Sequence, residues 1–146
     1  LIVLKAFTKN YAMTGLRLGY LLAQADLIPK IREAGQYWPV STIAQAAGEA
    51  ALQQTEWLRK TKNILLRENQ ILRDALTRMG FRVIGSEANY LFFHSPDTQL
   101  AEKLREQGVL IRSCANYRGL SPNWYRIAVR LTKENARLLE LLGEVG

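Results

Sequence analysis

The feature that most constrains this chain is a long amphipathic stretch near its centre. Apolar side chains recur at helical spacing from residue 56 to residue 79, and four of them lie seven residues apart: Leu58, Leu65, Leu72 and Met79. The pattern predicts an α-helix, about 36 Å long at a rise of about 1.5 Å per residue. Gly80 follows, where a left-handed residue commonly ends a helix. A helix of this length is expected to join two lobes of a protein.

The chain after this helix is predicted to form a small α/β domain. Short apolar stretches indicate strands, and stretches that begin with a capping residue or end in glycine indicate helices. The predicted order is a strand at 81–84, a strand at 89–93, a helix from Asp97 to Gly108, strands at 109–112 and 125–129, and a final helix capped by Thr132. This order describes a sheet packed against helices.

The chain before the long helix is predicted to hold two strands and two helices. The second strand is apolar and bounded by glycines, so it is expected to be buried, with Arg17 as its one charge. The predicted elements are strands at 1–4 and 15–23, a short helix from Asp26 to about Gly35, and an alanine-rich helix at 42–55 that Ser41 caps.

Composition and charge exclude several classes of protein. Hydrophobic residues make up 48% of the 146 and charged residues 23%, as in folded rather than disordered chains. The net charge of +7 is spread as +3, +2 and +2 over residues 1–40, 41–80 and 81–146, whereas nucleic-acid-binding proteins concentrate basic residues on one face. No apolar run reaches the ~20 residues of a membrane-spanning helix. The sequence therefore predicts neither a nucleic-acid partner nor a membrane partner.

The one cysteine and the one histidine offer little chemistry. Cys114 cannot form an internal disulfide, which fits a reducing cytoplasm, and it is expected to be a small core residue. His94 ends an apolar strand and has no serine or cysteine nucleophile nearby in the sequence. Metal sites need clustered ligands, so no metal is expected, and a catalytic site would depend on lysine, arginine and small polar groups.

Lys9 is the candidate catalytic residue. It follows an apolar strand and a hydroxyl residue, Thr8, and a lysine shielded from water there could form a Schiff base through its uncharged amine. Arg17, eight residues later, is expected in a strand, where its guanidinium would need an anion. A lysine for an aldehyde, with an arginine and a hydroxyl for a phosphate, would suit pyridoxal phosphate. From the spacing alone, a lysine and an arginine in surface loops remain the commoner explanation of such a pair.

A longer motif surrounds these residues. Residues 7–20, FTKNYAMTGLRLGY, resemble the cofactor-lysine segment of the fold-type I, class I/II aminotransferase superfamily. The shared pattern is a hydroxyl-lysine pair followed by Gly-Leu-Arg-x-Gly-Tyr, with the arginine eight residues after the lysine. The resemblance continues in family order through the alanine-rich and long helices, SEANY at 86–90 and YRIAV at 125–129. It therefore covers essentially the whole chain.

The resemblance implies roles for five residues. Lys9 would hold pyridoxal 5'-phosphate through a Schiff base and later move a proton, which makes it the catalytic residue. Thr8 and Arg17 would bind the cofactor phosphate. Arg126 matches the arginine that binds the substrate α-carboxylate in this superfamily. Arg112, fourteen residues earlier and expected on an adjacent strand, would bind a phosphate group on the substrate.

The resemblance also implies that the chain is the C-terminal part of a fold-type I α/β enzyme. Residues 1–55 would be the end of the large cofactor-binding domain, residues 56–80 the connecting helix, and residues 81–146 the small C-terminal α/β domain. The aspartate that such enzymes place against the pyridine nitrogen would lie upstream, so the chain alone is expected to be inactive. The full-length protein is expected to be a cytoplasmic homodimer.

Two branches of the superfamily fit best. The segments KNYA at 9–12 and IRSCANYRGL at 111–120 are similar to the threonine-phosphate decarboxylases of cobalamin biosynthesis, which act on a small phosphorylated amino acid. Histidinol-phosphate aminotransferases share the framework and are the alternative, and a non-catalytic binding module is a more distant one. The family often has arginine and serine where this chain has Lys5 and Ala6. The missing serine hydroxyl would weaken retention of the cofactor phosphate.

Overall fold

The computed structural model describes residues 1–85 and 87–145. The chain divides into two compact units, Leu1–Thr61 and Lys62–Gly146. Ser86, the first residue of the SEANY segment, and the terminal Gly146 lie outside the described residues. The fold is mixed helix and sheet, as the sequence predicts.

The first unit is built on a two-stranded sheet. Its elements, before the long helix, are β1 (Val3–Ala6), α1 (Phe7–Asn10), β2 (Gly19–Leu22), α2 (Leu27–Glu33) and α3 (Thr42–Leu52). The strands are antiparallel, and Ala6 is paired with Gly19. A Cβ atom at Gly19 would lie 2.9 Å from the carbonyl oxygen of Lys5, so glycine is required for the strands to approach this closely.

The second strand is shorter and less buried than predicted. The sequence predicts a buried strand at 15–23, but β2 covers only Gly19–Leu22, and Tyr20 and Leu22 are exposed. Arg17 lies in the turn before the strand with a φ of 50°, so the prediction that it lies in a strand is wrong. Left-handed backbone cannot continue a strand. A sheet of only two strands also buries little of its apolar surface.

The two helix caps predicted in this unit have different outcomes. Ser41 caps α3 as predicted, because its Oγ accepts a hydrogen bond from the backbone N–H of Ala44 at 3.2 Å. Asp26 precedes α2 as predicted, but its side chain makes no capping hydrogen bond. Its φ of −71° and ψ of −21° are helical, whereas a capping side chain reaches the free N–H groups from an extended backbone.

The long central helix is confirmed. α4 spans Thr55–Arg78, one residue earlier at each end than the predicted 56–79. Gly80 has a φ of 85°. The N–H of Phe81 donates to the carbonyl oxygen of Leu76 at 3.0 Å. This is the left-handed helix ending that the sequence predicts.

The second unit contains a four-stranded antiparallel sheet with the strand order β3-β4-β6-β5. The predicted order of strand, strand, helix, strand, strand and helix is confirmed. After α4, the elements are β3 (Arg82–Ile84), β4 (Tyr90–His94), α5 (Leu100–Glu106), β5 (Arg112–Ser113), β6 (Trp124–Ala128) and α6 (Thr132–Val145).

One face of this sheet forms the hydrophobic core. Alternate residues of β4 and β6 pack in one cluster with leucines of three helices: Leu91, Phe93, Tyr125 and Ile127 from the strands, and Leu72, Leu76, Leu100, Leu104, Leu141 and Leu142 from α4, α5 and α6. Side chains alternate between the two faces of a strand, so Tyr90, Phe92 and Arg126 lie on the opposite face. That face carries the candidate substrate-binding residues.

Among the elements of this unit, α5 and β5 differ most from their predicted ranges. α5 begins at Leu100 rather than at Asp97. The Oδ1 of Asp97 accepts a hydrogen bond from the N–H of Gln99 at 2.8 Å, which stabilises a turn before the helix. β5 covers only Arg112–Ser113 instead of 109–112, because only these two residues are paired with β6.

Thr132 does not cap α6 but is its first helical residue. Its hydroxyl donates to Oε1 of Glu68 at 2.6 Å, and Nδ2 of Asn135 donates to Oε2 of the same carboxylate at 2.8 Å. These hydrogen bonds favour the ionised carboxylate. They hold the pKa of Glu68 below its ordinary value, although burial acts in the opposite direction. The network joins α4 to the beginning of α6.

Candidate active site

The candidate cofactor-binding residues share one loop at the end of the first sheet. Just beyond the last β1–β2 pair, the N–H of Phe7 donates to the carbonyl oxygen of Leu18 at 3.1 Å. This hydrogen bond closes the base of residues 8–17, which we call the lysine loop. The lysine loop contains all three residues assigned to the cofactor: Thr8, Lys9 and Arg17.

Lys9 lies in α1, a single helical turn, and not at the end of a strand. The N–H of Tyr11 donates to the carbonyl oxygen of Phe7 at 3.0 Å and closes this turn. The side chain of Lys9 is exposed, and it forms no ion pair with any residue that the structure describes. The expected shielding from water is therefore not provided by the described chain.

Arg17 occupies the other end of the lysine loop. Its φ of 50° lies in the left-handed region, which residues other than glycine rarely adopt. Its Nη1 donates to the carbonyl oxygen of Thr14 at 3.3 Å. Within residues 1–85 and 87–145, no carboxylate forms an ion pair with its guanidinium. A guanidinium with this freedom suits an anionic ligand such as a phosphate.

Aromatic side chains fix the base of the lysine loop. Phe7 is 3% exposed, and its ring stacks on that of Tyr11 with 5.1 Å between the ring centroids. Tyr11 stacks in turn on Trp57, 6.0 Å away, near the beginning of α4. Tyr20 of β2 meets Phe7 edge-on at 5.7 Å. These contacts hold α1, and with it Lys9, against the rest of the first unit.

Small residues let α3 approach the same region. Ala44, Gly48 and Ala51 are the buried residues of this helix. A Cβ atom at Gly48 would lie 2.5 Å from Cδ2 of Leu18 and 3.7 Å from Cζ of Phe7. The buried face of α3 is therefore the surface on which the base of the lysine loop rests.

The two candidate substrate-binding residues lie opposite each other in the second unit. Arg112 of β5 is paired with Arg126 of β6 in the strand register. Paired residues of neighbouring strands project from the same face of a sheet, here the face opposite the core. Arg126 is half-buried, whereas Arg112 is exposed. The two residues lie on adjacent strands, as the sequence predicts, and their binding roles stay predictions.

Each arginine contacts a tyrosine. The Cζ of Arg126 lies 4.9 Å from the ring centroid of Tyr90, and the Cζ of Arg112 lies 6.0 Å from that of Tyr117. Nη2 of Arg112 also donates to Oδ1 of Asn116 at 3.5 Å. We call these five residues the arginine-pair site.

The arginine-pair site brings two positive charges together. Among the described residues, neither Arg112 nor Arg126 forms an ion pair. Like charges directly opposite each other destabilise a sheet, so an anion bound between or beside them would be stabilising. Burial raises the pKa of the neighbouring Cys114 thiol, and the positive charges of the two arginines oppose this shift. Cys114 is fully buried, as expected for a small core residue.

Sequence reasoning missed three residues of this site. Tyr90 could be placed beside Arg126 only once β4 was known to pair with β6, because the alternation along each strand does not tell which strands are neighbours. Asn116 and Tyr117 lie in the connection between β5 and β6, where no periodic pattern exists. Their contacts with Arg112 depend on the turn that this connection forms.

The described residues offer no alternative site for a metal ion. No group of three or more histidine, cysteine, aspartate or glutamate residues is close enough to hold one. In the same residues, no helix is both long and apolar enough to cross a membrane.

Known proteins resemble the chain over almost its whole length. A sequence profile described as aminotransferase class I and II matches residues 1–142. The chain is 40% identical to the threonine-phosphate decarboxylase of Salmonella typhimurium, over 98% of this chain and 40% of that protein. It is 37% identical to histidinol-phosphate aminotransferase 1 of Archaeoglobus fulgidus, over 99% of this chain and 44% of that protein. The chain thus spans less than half the length of these curated relatives.

Solved structures show the same two branches. The histidinol-phosphate aminotransferase from Clostridium acetobutylicum matches 99% of this chain and 45% of its own, with a TM-score of 0.90 and 26% identity. The L-threonine-O-3-phosphate decarboxylase from Porphyromonas gingivalis matches 99% of this chain and 46% of its own, with a TM-score of 0.81 and 25% identity. Both branches that the sequence analysis identified are therefore found among the similar proteins.

Proposed function

The chain belongs to the aminotransferase class I and II family, whose members use pyridoxal phosphate, and from this premise we propose that the full-length protein decarboxylates L-threonine O-3-phosphate to aminopropanol phosphate. This is a reaction of cobalamin biosynthesis. The chain would supply the lysine loop for the cofactor and the arginine-pair site for the substrate. A histidinol-phosphate or related class I/II aminotransferase is the second candidate, since such enzymes are similar over the same length.

The observation that carries the proposal is the direct pairing of Arg112 with Arg126. L-Threonine O-3-phosphate has a carboxylate and a phosphate, so it can provide an anionic partner for each guanidinium. Arg126 would bind the carboxylate and Arg112 the phosphate. A small phosphorylated amino acid is the substrate class that this arrangement fits best.

The lysine loop would hold the cofactor. When bound, pyridoxal phosphate supplies an electron-accepting ring that delocalises the charge left at Cα of the substrate. The amine of Lys9 would hold the cofactor covalently and later return a proton to Cα. The hydroxyl of Thr8 and the guanidinium of Arg17 would bind its phosphate. The fit is supported by the exposed amine and the guanidinium without a carboxylate partner, which lie in one short loop.

The choice between the two reactions depends on how the substrate is held. Decarboxylation needs the bond from Cα to the carboxylate perpendicular to the cofactor ring, and transamination needs the Cα–H bond there instead. Arg126 would set this orientation by binding the carboxylate. Histidinol phosphate has a phosphate but no carboxylate, so it would leave one guanidinium of the arginine-pair site without an anionic partner. For the phosphorylated substrate this difference favours the decarboxylase, although the dicarboxylate 2-oxoglutarate, the other substrate of such an aminotransferase, could also occupy both guanidiniums.

Mass spectrometry of reaction products tests the proposal. The full-length protein loaded with pyridoxal phosphate would be incubated with L-threonine O-3-phosphate, and separately with histidinol phosphate and 2-oxoglutarate. Aminopropanol phosphate from the first mixture is the expected result. An oxo product from the second mixture, with no product from the first, would favour the aminotransferase. Absence of any product from both mixtures would contradict both reactions.

The assembly and domain assignments are part of the proposal. We infer that residues 1–55 end the large domain, that 56–80 form the connecting helix and that 81–146 form the small domain of a cytoplasmic homodimer. These assignments follow from the family, whose enzymes build their sites between two subunits. Sedimentation of the full-length protein at the mass of a monomer would contradict the homodimer.

The 146-residue chain alone is predicted to be inactive. Enzymes of this family need an acid beside the pyridine nitrogen, and none of the three aspartates in the chain is suited to that role. Asp26 lies exposed before α2, Asp74 accepts a hydrogen bond from Gln70 at 2.7 Å, and Asp97 forms an ion pair with Lys103 at 2.7 Å. The chain with added pyridoxal phosphate should therefore turn over neither phosphorylated substrate. Product formation by the chain alone would contradict this.

A further inference from the structure

The two arginines of the arginine-pair site contact a different kind of partner from the arginines that form ion pairs. Several arginines form ion pairs with a carboxylate at 2.5–3.0 Å: Arg59, Arg67, Arg130 and Arg137. In those pairs the charge is compensated and some N–H groups are occupied. Arg112 and Arg126 instead contact the faces of tyrosine rings. A guanidinium that lies over a ring keeps its charge and leaves the N–H groups at its edge available for a ligand.

The two tyrosines are held by different parts of the sheet. Tyr90 is opposite Ala128, two residues along β6 from Arg126, so the strand register fixes its ring beside that guanidinium. Tyr117 lies in the β5–β6 connection, where its N–H donates to the carbonyl oxygen of Cys114 at 2.9 Å. Its own carbonyl oxygen accepts from the N–H of Leu120 at 3.1 Å. Each tyrosine can therefore affect one arginine without affecting the other.

We propose that Tyr90 and Tyr117 are positioning residues that orient Arg126 and Arg112, respectively, and that Tyr117 makes the site selective for substrates with a phosphate. The inference rests on the proposed function for the assignment of the carboxylate to Arg126 and of the phosphate to Arg112. It deepens that function because it identifies what distinguishes a phosphorylated from an unphosphorylated amino acid.

Tyr117 is important because Arg112 has few other restraints. Arg112 is exposed, and its hydrogen bond to Asn116 is long, at 3.5 Å. Without the ring, its side chain is free to leave the position opposite Arg126, and a ligand must then order it on binding. A cation–π contact at a partly exposed site corresponds to about a fivefold change in affinity. The phosphate-dependent part of the affinity should fall by that amount.

Isothermal titration of the full-length protein, with saturating pyridoxal phosphate, tests the proposal. A Lys9→Ala background prevents turnover during the titration. O-Phospho-L-threonine and L-threonine would be titrated into this background and into Tyr117→Leu, Tyr117→Phe, Tyr90→Leu and Tyr90→Phe variants of it. Tyr117→Leu should weaken binding of O-phospho-L-threonine about fivefold and leave that of L-threonine within about twofold. Tyr90→Leu should weaken both ligands to a similar degree.

The two phenylalanine variants keep the rings and serve as matched controls, with affinities expected within about twofold of the background. An equal loss for both ligands in Tyr117→Leu would overturn the proposal, because it would indicate a general structural effect. No loss for either ligand, or an equal loss in Tyr117→Phe, would also overturn it. These results are separate from turnover: a protein that forms no aminopropanol phosphate but loses phosphate selectivity in Tyr117→Leu would contradict the proposed reaction and support the positioning role.

Discussion

At the scale of single residues, two groups of basic side chains differ in their partners. Several basic residues of α4 and α6 form ion pairs within one helix, such as Arg59 with Glu56 and Arg137 with Glu140. Exposed pairs of this kind contribute little to stability. The candidate site residues form no ion pair with the described chain and are placed by backbone geometry or by aromatic rings: Lys9, Arg17, Arg112 and Arg126. Their charge is therefore available for ligands.

Replacement of Arg17 tests the lysine loop. Arg17→Ala removes the guanidinium and keeps the Cβ atom, so the left-handed backbone is no more strained than before. Loss of a charge-assisted hydrogen bond corresponds to about a tenfold to hundredfold weaker affinity of the full-length protein for pyridoxal phosphate. Fluorescence titration of the apoprotein with pyridoxal phosphate measures this affinity.

Arg32→Ala, which removes an exposed arginine of α2, is the matched control for the change in net charge. Its affinity for the cofactor should stay within about twofold of the unsubstituted protein, because a distant exposed charge is largely screened. An equal loss in both variants would mean that the effect of Arg17 is one of net charge and not of a contact with the phosphate.

At the scale of secondary-structure elements, repeating patterns were predictable and local backbone geometry was not. The heptad spacing predicted α4 to within one residue, and alternation predicted the order of elements in the second unit. Arg17 was wrongly placed in a strand because an apolar pattern does not reveal a left-handed residue. Asp97 was wrongly placed at a helix start because its side chain stabilises a turn equally well. Glu68 lies three residues after Leu65 in the apolar stripe of α4, and a carboxylate at such a position indicates a buried polar contact.

The hydrogen bonds that Glu68 makes with α6 predict an effect of pH on stability. The pKa of Glu68 is below its ordinary value of 4.5 in the folded state. The stabilisation is therefore fully present above pH 4.5 and is lost as the pH falls through the lower, folded-state pKa. Glu68→Gln should lower the free energy of unfolding at pH 7 and reduce its loss on acidification. Urea denaturation at pH 7 and pH 3 measures both.

Glu56→Gln is the control on the same helix. Glu56 is exposed, and its pKa is lowered chiefly by the hydrogen bond from Arg59. An exposed pair contributes little to stability, so this variant should change the free energy of unfolding less than Glu68→Gln does at pH 7. A larger effect of Glu56→Gln would contradict a structural role for the buried network.

The close approach of α3 to the lysine loop predicts a coupled pair of substitutions. Gly48→Ala would place a Cβ atom 2.5 Å from Cδ2 of Leu18. Overpacking typically costs about 1–3 kcal/mol, and alanine regains about 1 kcal/mol of helix propensity, so a net loss of about 1 kcal/mol is expected. In the Leu18→Ala background the clash is absent, and Gly48→Ala should be stabilising. Thermal denaturation of the unsubstituted protein, the two single variants and the double variant measures the coupling between positions 18 and 48.

Gly143→Ala in α6 is the control for helix propensity, because a Cβ atom there would meet nothing within 4 Å. It should be neutral or stabilising by up to about 1 kcal/mol. If Gly48→Ala behaves like Gly143→Ala in the presence of Leu18, close packing between α3 and the lysine loop is not what selects glycine at position 48.

At the scale of the whole molecule, the two units differ in how much they bury. The second unit encloses aromatic and leucine side chains from both its sheet and its helices. In the first unit, Phe7 is the large side chain that is buried, and several apolar side chains are almost fully exposed, such as Leu1 at 98% and Trp38 at 95%. Since the chain spans less than half of its relatives, we expect further chain of the full-length protein to cover these residues.

Amide hydrogen exchange of the 146-residue chain tests this difference. Opening of the first unit exposes little additional apolar surface, so its backbone hydrogen bonds should break by local opening at a low free energy. Amides of β4 and β6 should exchange at least about 100-fold more slowly than those of β1 and β2. This ratio corresponds to a difference of about 3 kcal/mol between the free energies of opening of the two sheets. In the full-length protein, amides of β1 and β2 should become protected, whereas those of β4 and β6 should change little. Equal protection of the two sheets in the isolated chain would show that the first unit does not depend on further chain for its stability.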